Sequence, residues 1–228
     1  MNDGPEDRLQ RSGLVFFATL TASVTHELNN ALSIVDQSGG LLGDLAAGVG
    51  SGIGIDPRRL ETLQERIDRQ VRKGVLILNR FNRFAHSLDK PERAFDACAE
   101  TENLVALARR LAELKLVRLE YPPNTEEVRV CGSAFALQHG VFTCLQKVLE
   151  VSEEGDRIEV DVRRVGSEAV VSIVASAGCT AGDDDPSIRL LSCLMESLEG
   201  THDVRSNESG GTSFELRLPL ASGRGTAH

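Results

Sequence analysis

The sequence predicts an α+β fold in two parts. Residues up to about 90 show only the three-and-four spacing of amphipathic helices, strand-like alternation begins after Pro91, and from there helical and alternating segments mix. The chain has 228 residues, 41% hydrophobic and 26% charged, ordinary values for a globular protein with room for two modest cores.

The first helix is expected from about Asp7 to Ala47. Leu14, Phe17, Thr21, Val24, Leu28, Ala31, Val35, Leu42 and Leu45 recur at near-heptad steps. GVGSGIG, Gly48 to Gly54, ends it, because so much glycine favours the unfolded backbone. Asp56-Pro57 then starts a second helix, with Asp as N-cap and Pro where no amide is needed. Its seam runs through Leu60, Leu63, Ile67, Val71, Gly74, Ile77, Leu78, Phe81, Phe84 and Leu88 and stops before Pro91. Two long helices joined by a short loop make an antiparallel hairpin. One hairpin cannot cover both seams, so a homodimeric four-helix bundle is expected.

Beyond Pro91, Glu100 to Lys115 and Ser133 to Val151 have helical spacing. Val117 to Tyr121 and Val128 to Val130 read as short strands about Pro122-Pro123-Asn124. Arg157 to Val165 and Glu168 to Val174 alternate about the turn Gly166-Ser167, giving a hairpin. Ser187 to Leu198 is helical, and strands near Thr201 to Arg205 and Thr212 to Leu218 follow. The expectation is an α/β sandwich of one sheet with helices on one face. The boundaries expected are a flexible N-terminus at 1–10, the helical hairpin at 11–90, the sandwich at 91–220 and a flexible tail at 221–228.

Charge and cysteine content exclude several classes. The net charge of -9 argues against nucleic-acid binding. Residues 56–90 form a basic island of 9 basic and 5 acidic side chains. Its Arg58, Arg59, Arg66, Arg69, Arg72 and Lys73 could steer an acidic protein partner or form a solvated face of ion pairs. Five scattered cysteines without a C-x-x-C pair read as reduced thiols. No apolar run is long enough for a membrane span and the start is not a signal peptide, so a cytoplasmic location is expected.

His26 is the leading candidate for chemistry. At 100° per residue it points away from the direction shared by Val24 and Leu28, toward solvent. A neutral imidazole is a good nucleophile near pH 7. Glu27 could act as base or orient the ring, and Asn30 lies one turn along the same face. Spacing alone leaves open that both are merely solvated. His86, near the end of the second helix, is better read as a capping or solvated residue.

Three segments together raise these readings. HELNNALSIV resembles the H-box of bacterial sensor histidine kinases. LNRFAHSLDKPERAFD resembles the passage from their phosphotransfer hairpin into the catalytic domain, and GGTSFELRLP is similar to the last strand of the GHKL-type ATP-binding domain. They occur in the family's order. The resemblance implies that residues 11–90 form a dimerisation and histidine phosphotransfer hairpin and 91–220 a GHKL-like sandwich. It further implies that His26 accepts the phosphoryl group, that Glu27 assists, and that Asn30 positions a water for receiver dephosphorylation.

The implied ATP site is degenerate. The two asparagine positions hold Thr143 and Lys147, and a lysine offers a magnesium ion no acceptor. The D-x-G-x-G segment keeps Gly178, but Ser176 or Ala175 stands where the adenine-binding aspartate belongs. Asp183 to Asp185 read as a solvated loop, not a metal cluster.

The expected function is therefore a phosphohistidine relay between response-regulator receiver domains. The chain would bind no cofactor of its own, with magnesium supplied at the receiver, and would have no nucleic-acid or membrane partner. The alternatives are a sensor-type kinase or phosphatase with atypical ATP binding, and a non-enzymatic pseudokinase adaptor.

Overall fold

Long helices come first in the computed structural model, as the seams require. It describes residues 5–50, 56–89, 93–124, 126–179, 182, 184–206 and 210–221. Helix α1 spans Pro5–Gly50 and α2 spans Pro57–His86. The helix starts at Pro5, inside the stretch expected to be flexible; Pro suits a first helical position, which has no amide to satisfy. Residues 51–55 of the glycine segment and 222–228 of the expected tail lie outside the described residues.

The remaining elements are β1 (Arg93–Asp96), α3 (Ala97–Glu113), β2 (Arg118–Glu120), β3 (Arg129–Gly132), α4 (Ala134–Val151), β4 (Arg157–Val165), β5 (Glu168–Ala175), α5 (Pro186–Glu196), β6 (Thr201–Ser206) and β7 (Thr212–Pro219). The chain divides into two units, Thr21–Asn82 and Met1–Leu20 with Arg83–His228. The expected boundary near residue 90 thus falls earlier, and the start of α1 belongs with the α+β part.

In the helical unit, α1 and α2 are antiparallel. Glu27 and Lys73 lie 3.3 Å apart although 23 residues of α1 and 16 of α2 separate them from the connecting segment, so the chain must reverse there. Val24, Ala31, Leu63 and Ile77 are buried, while Leu32, Leu41, Val71 and Val75 stay exposed.

The larger unit holds two sheets, not one. Five strands run in the order β2-β4-β5-β7-β6, with β2 parallel to β4 and the other pairs antiparallel. Strands β1 and β3 form a separate antiparallel pair, tied to the larger sheet by a bridge between Val130 and Leu220. Alternation sets the faces: Ile158, Val160 and Val162 of β4 and Phe214, Leu216 and Leu218 of β7 are buried, with α3 packed against β4 and α4 against β5. On the other face Arg217 bridges Glu168 and Glu215 at 3.3 and 2.6 Å.

The starts of α3, α4 and α5 are capped. Asp96 accepts from the Cys98 amide at 3.0 Å, Ser133 from Ala136 at 3.2 Å, and Asp185 from Ser187 at 2.8 Å. The first turns of α1 are held by aromatic packing. Phe16 is 1% exposed and stacks face to face on His139 of α4, with centroids 4.9 Å apart. Phe84, Phe135 and Phe142 surround it at 4.7–5.3 Å. Nearby, buried Glu100 receives bonds from Gln138 at 2.9 Å and Arg83 at 3.2 Å, joining the end of α2 to α3 and α4.

Two stability predictions follow from this packing. Phe16→Ala should cost about 3–5 kcal/mol in urea unfolding of the larger unit; a loss under about 1 kcal/mol would mean that the start of α1 is not part of that core. Burial without compensating charge holds the His139 imidazole down at about 4, against 6.5 when unfolded. The unfolded ring therefore takes up a proton first as pH falls. Stability present above pH 6.5 should drop between 6.5 and 4, by about 2 kcal/mol at pH 5 relative to a His139→Phe variant. Parallel pH profiles for the two proteins would rule this out.

Candidate functional site

His26 lies in the middle of α1, where its seam neighbour Val24 is buried and the imidazole is exposed. Asn30, one turn on and also exposed, places Nδ2 3.2 Å from His26 Nδ1. With the amide donating, the ring proton sits on Nε2. With the amide turned, its oxygen accepts from Nδ1–H and leaves the Nε2 lone pair open for attack. The Asn30 amide thus touches the ring nitrogen on whose protonation the tautomer turns, a contact that helical spacing alone did not assign.

Glu27 faces elsewhere. Its carboxylate is mostly buried and pairs with Lys73 of α2 at 3.3 Å. Lys73, one of the basic side chains of α2, thus makes an ion pair within the hairpin. Arg58, Arg59, Arg69 and Arg72 are exposed along α2, and Arg66 is half-buried.

Of the positions compared with a nucleotide site, Thr143 and Lys147 lie on α4, and Ser176 and Gly178 follow the end of β5. Lys147 of α4 meets Asp185 at 2.5 Å, and the side chains of both are largely buried. The pairing raises the lysine and lowers the aspartate from their ordinary values, chiefly through the hydrogen bond they share. Asp185 is thus both the N-cap of α5 and a fixed countercharge, not a member of a solvated loop; Asp184 is exposed, and Asp183 lies outside the described residues.

Thr143 donates to the His139 carbonyl at 2.8 Å, a bond internal to the helix. Ser176 accepts from the Arg157 amide at 2.9 Å and donates to Asp156 at 2.7 Å, closing the turn before β4. A Cβ on Gly178 would come within 2.3 Å of the Gly210 carbonyl oxygen, so glycine there serves close backbone packing. Lys147 presents no acceptor to a magnesium ion, and Ser176 presents no carboxylate to an adenine amino group.

Among the described residues no group of three or more His, Cys, Asp or Glu side chains could hold a metal, and no helix is long and apolar enough to cross a membrane. Cys98, Cys144 and Cys179 are buried, and Cys131 and Cys193 exposed. Burial raises the Cys98 thiol to about 11. At the end of α2, exposed His86 pairs with Asp89 at 2.6 Å, in keeping with a helix-end role.

A five-stranded mixed sheet covered on one face by helices gives the α+β part of the chain the fold of histidine kinase catalytic domains. The catalytic domain of histidine kinase ThkA superposes with a TM-score of 0.51 at 12% identity, over 56% of this chain and 96% of that one. The ATP-binding domain of PrrB from Mycobacterium tuberculosis gives 0.49 at 16% identity, over 57% and 98%. The histidine kinase AdeS from Acinetobacter baumannii gives 0.49 at 13%, over 86% and 98%. No protein-family model and no curated protein matches the chain. At these identities the shared feature is the fold.

The Lys147–Asp185 pair can be separated from the cap by substitution. Asp185→Asn keeps a good N-cap but removes the charge, leaving the lysine half-buried and unpaired; about 1–2 kcal/mol of stability should be lost. Asp185→Ala should lose about 1 kcal/mol more. Equal unfolding midpoints for the two variants would show that the cap contributes nothing.

Proposed function

We propose that this chain is a phosphohistidine relay protein of a two-component signalling pathway, acting on receiver domains without ATP. The observation that carries the reading is a contrast: His26 stands open to solvent beside Asn30, whereas the position implied for a magnesium ligand holds an ammonium bound to Asp185.

In the reaction, a phosphorylated receiver presents its aspartyl phosphate to α1. Nε2 of His26 attacks the phosphorus in line, an N–P bond forms, and the P–O bond to the aspartate breaks to release the carboxylate. For this attack the Asn30 amide turns so that its oxygen, in place of the Nδ2 that lies 3.2 Å from Nδ1, accepts the Nδ1 proton and keeps the nucleophilic tautomer. Attack by a second receiver's aspartate on the phosphohistidine reverses these bonds. The metal that steadies the transferring group belongs to the receiver.

Partners follow from surface chemistry. The exposed Leu32, Leu41, Leu60, Val71, Val75 and Leu78 of the hairpin support a homodimer whose second copy covers them. The exposed Arg58, Arg59, Arg69 and Arg72 support docking of an acidic receiver.

A radiolabelled phosphoreceiver should transfer label to the protein, and His26→Ala should abolish acceptance while leaving the circular dichroism spectrum unchanged. Label on the His26→Ala protein would overturn the assignment. Calorimetric titration with magnesium-ATP should be flat; saturable heat would favour the atypical kinase instead. Charge reversal at Arg58, Arg59, Arg69 and Arg72 together should slow transfer about tenfold or more at low salt, with the difference shrinking as salt is added. Rates equal to the unmodified protein's at every ionic strength would remove the basic face from docking.

A further inference from the structure

The turn between α3 and β2 holds an exposed leucine in a backbone conformation that suits glycine. Helix α3 closes with the Leu116 amide donating to the Glu113 carbonyl and the Val117 amide to Ala112, both at 3.0 Å. This closure places Leu116 at φ 58°, the left-handed position that glycine usually fills after a helix. A side chain with a Cβ is strained there. Burial of the side chain would offset the strain, but Leu116 is 59% exposed.

Two more aliphatic side chains are exposed at the same helix ends. Leu114, the C-cap of α3, is 64% exposed, and Val151, the last residue of α4, is 45% exposed. Hydrogen bonds tie the two ends together. Lys115 donates its ammonium to the carbonyls of Leu149 and Glu150, and the Gly155 amide donates to the Leu116 carbonyl at 3.0 Å. Scattered single apolar residues are ordinary on a surface. Three of them on backbone fixed in this way, one at a conformational cost, mark a surface that meets a partner.

The rim gives the sign of that partner. Glu150, Glu153 and Glu154 are exposed, and their side chains enter no ion pair or hydrogen bond with the described residues. Lys115, between the two leucines, is taken up by the carbonyls at the end of α4, and Glu113 is paired with Arg110 at 3.5 Å. An apolar centre with an anionic rim fits the opposite pattern, apolar side chains flanked by ammonium or guanidinium groups. A helix with apolar residues on adjacent turns of one face presents that pattern over a small area.

We propose that Leu114, Leu116 and Val151, rimmed by Glu150, Glu153 and Glu154, form a docking surface for a basic amphipathic helix of a partner protein. The surface lies within the α+β unit, and its use does not depend on phosphotransfer at His26.

The test uses the full chain and synthetic helices as probes. An amphipathic peptide of leucine and lysine should bind saturably by calorimetry, more weakly as salt is added, and should shift the methyl NMR signals of Leu114, Leu116 and Val151. The same peptide with glutamate for lysine should bind about tenfold weaker or worse, as should one with serine for leucine. Leu116→Gly should lower affinity for the leucine–lysine peptide about tenfold while the urea unfolding midpoint holds or rises, because the strain is relieved. A triple variant, Glu150→Gln with Glu153→Gln and Glu154→Gln, should bind about tenfold weaker at low salt, with the difference shrinking at high salt. Several outcomes would overturn the proposal. One is methyl shifts confined to the hairpin leucines Leu32 and Leu41, and another is affinity untouched by both variants. A fall in stability on Leu116→Gly would make Leu116 a core residue instead. Self-association that Leu116→Gly abolishes would assign the face to a second copy of this chain.

Discussion

The stacking of Phe16 on His139 is the contact on which the arrangement of the larger unit depends. Residues 5–20 of a helix that continues for another thirty residues have no reason of their own to join an α+β core. Helix propensity would extend α1 as a rod with this segment in water. Burying one phenylalanine among three others and an imidazole reverses that balance, because aromatic burial contributes a few kcal/mol and edge and face contacts add to it. The cost appears at His139, which must stay neutral. Phe84 comes from the end of α2, so the cluster gathers the outer ends of both long helices against α4. The Arg83–Glu100–Gln138 bonds act beside it as a polar counterpart, fully paired and therefore tolerable when buried.

A second constraint is electrostatic. A lysine whose side chain is four-fifths shielded needs a fixed anion, and Asp185 supplies it at 2.5 Å while its other oxygen caps α5. One carboxylate thus connects α4 to α5 and ends the segment after β5. The ion pair joins these elements within the chain.

Much of this was legible in the sequence, and the omissions have physical causes. Whereas β5, as long as β7, is buried at five successive positions, strands β4 and β7 were readable because each is at least eight residues long, so period-two burial had room to show. β1 was not: Arg93–Asp96 is four residues with a single fully buried side chain, and it is a strand only because β3 lies beside it. The second sheet disappeared with it. The exposed side of α1 at His26 followed from helical geometry alone. The partners of Lys147, Glu27 and His139 did not, since each lies on another element, 38, 46 and 123 residues away in sequence. Asp185 showed the difficulty most plainly: three adjacent aspartates look like a solvated loop until a helix start and a lysine claim the last of them.

The surroundings of His26 bear on the relay proposed for it. A histidine attacking ATP benefits from a carboxylate that draws the ring proton away, and Glu27 is the neighbouring acid. Here that carboxylate is turned into the hairpin and held by Lys73, and the group touching Nδ1 is the neutral amide of Asn30. Neutrality matters for an approaching phosphoryl dianion, because a free carboxylate within a few ångströms would repel it by about 1–4 kcal/mol at surface dielectric values. An amide fixes the tautomer without that repulsion. It also does so symmetrically, since the same hydrogen bond serves the ring before attack and after loss of the phosphoryl group. A donor and an acceptor of similar energy, two aspartates on receivers, require that kind of even-handed site. Asn30 is therefore as much a part of the proposed relay as the histidine it holds.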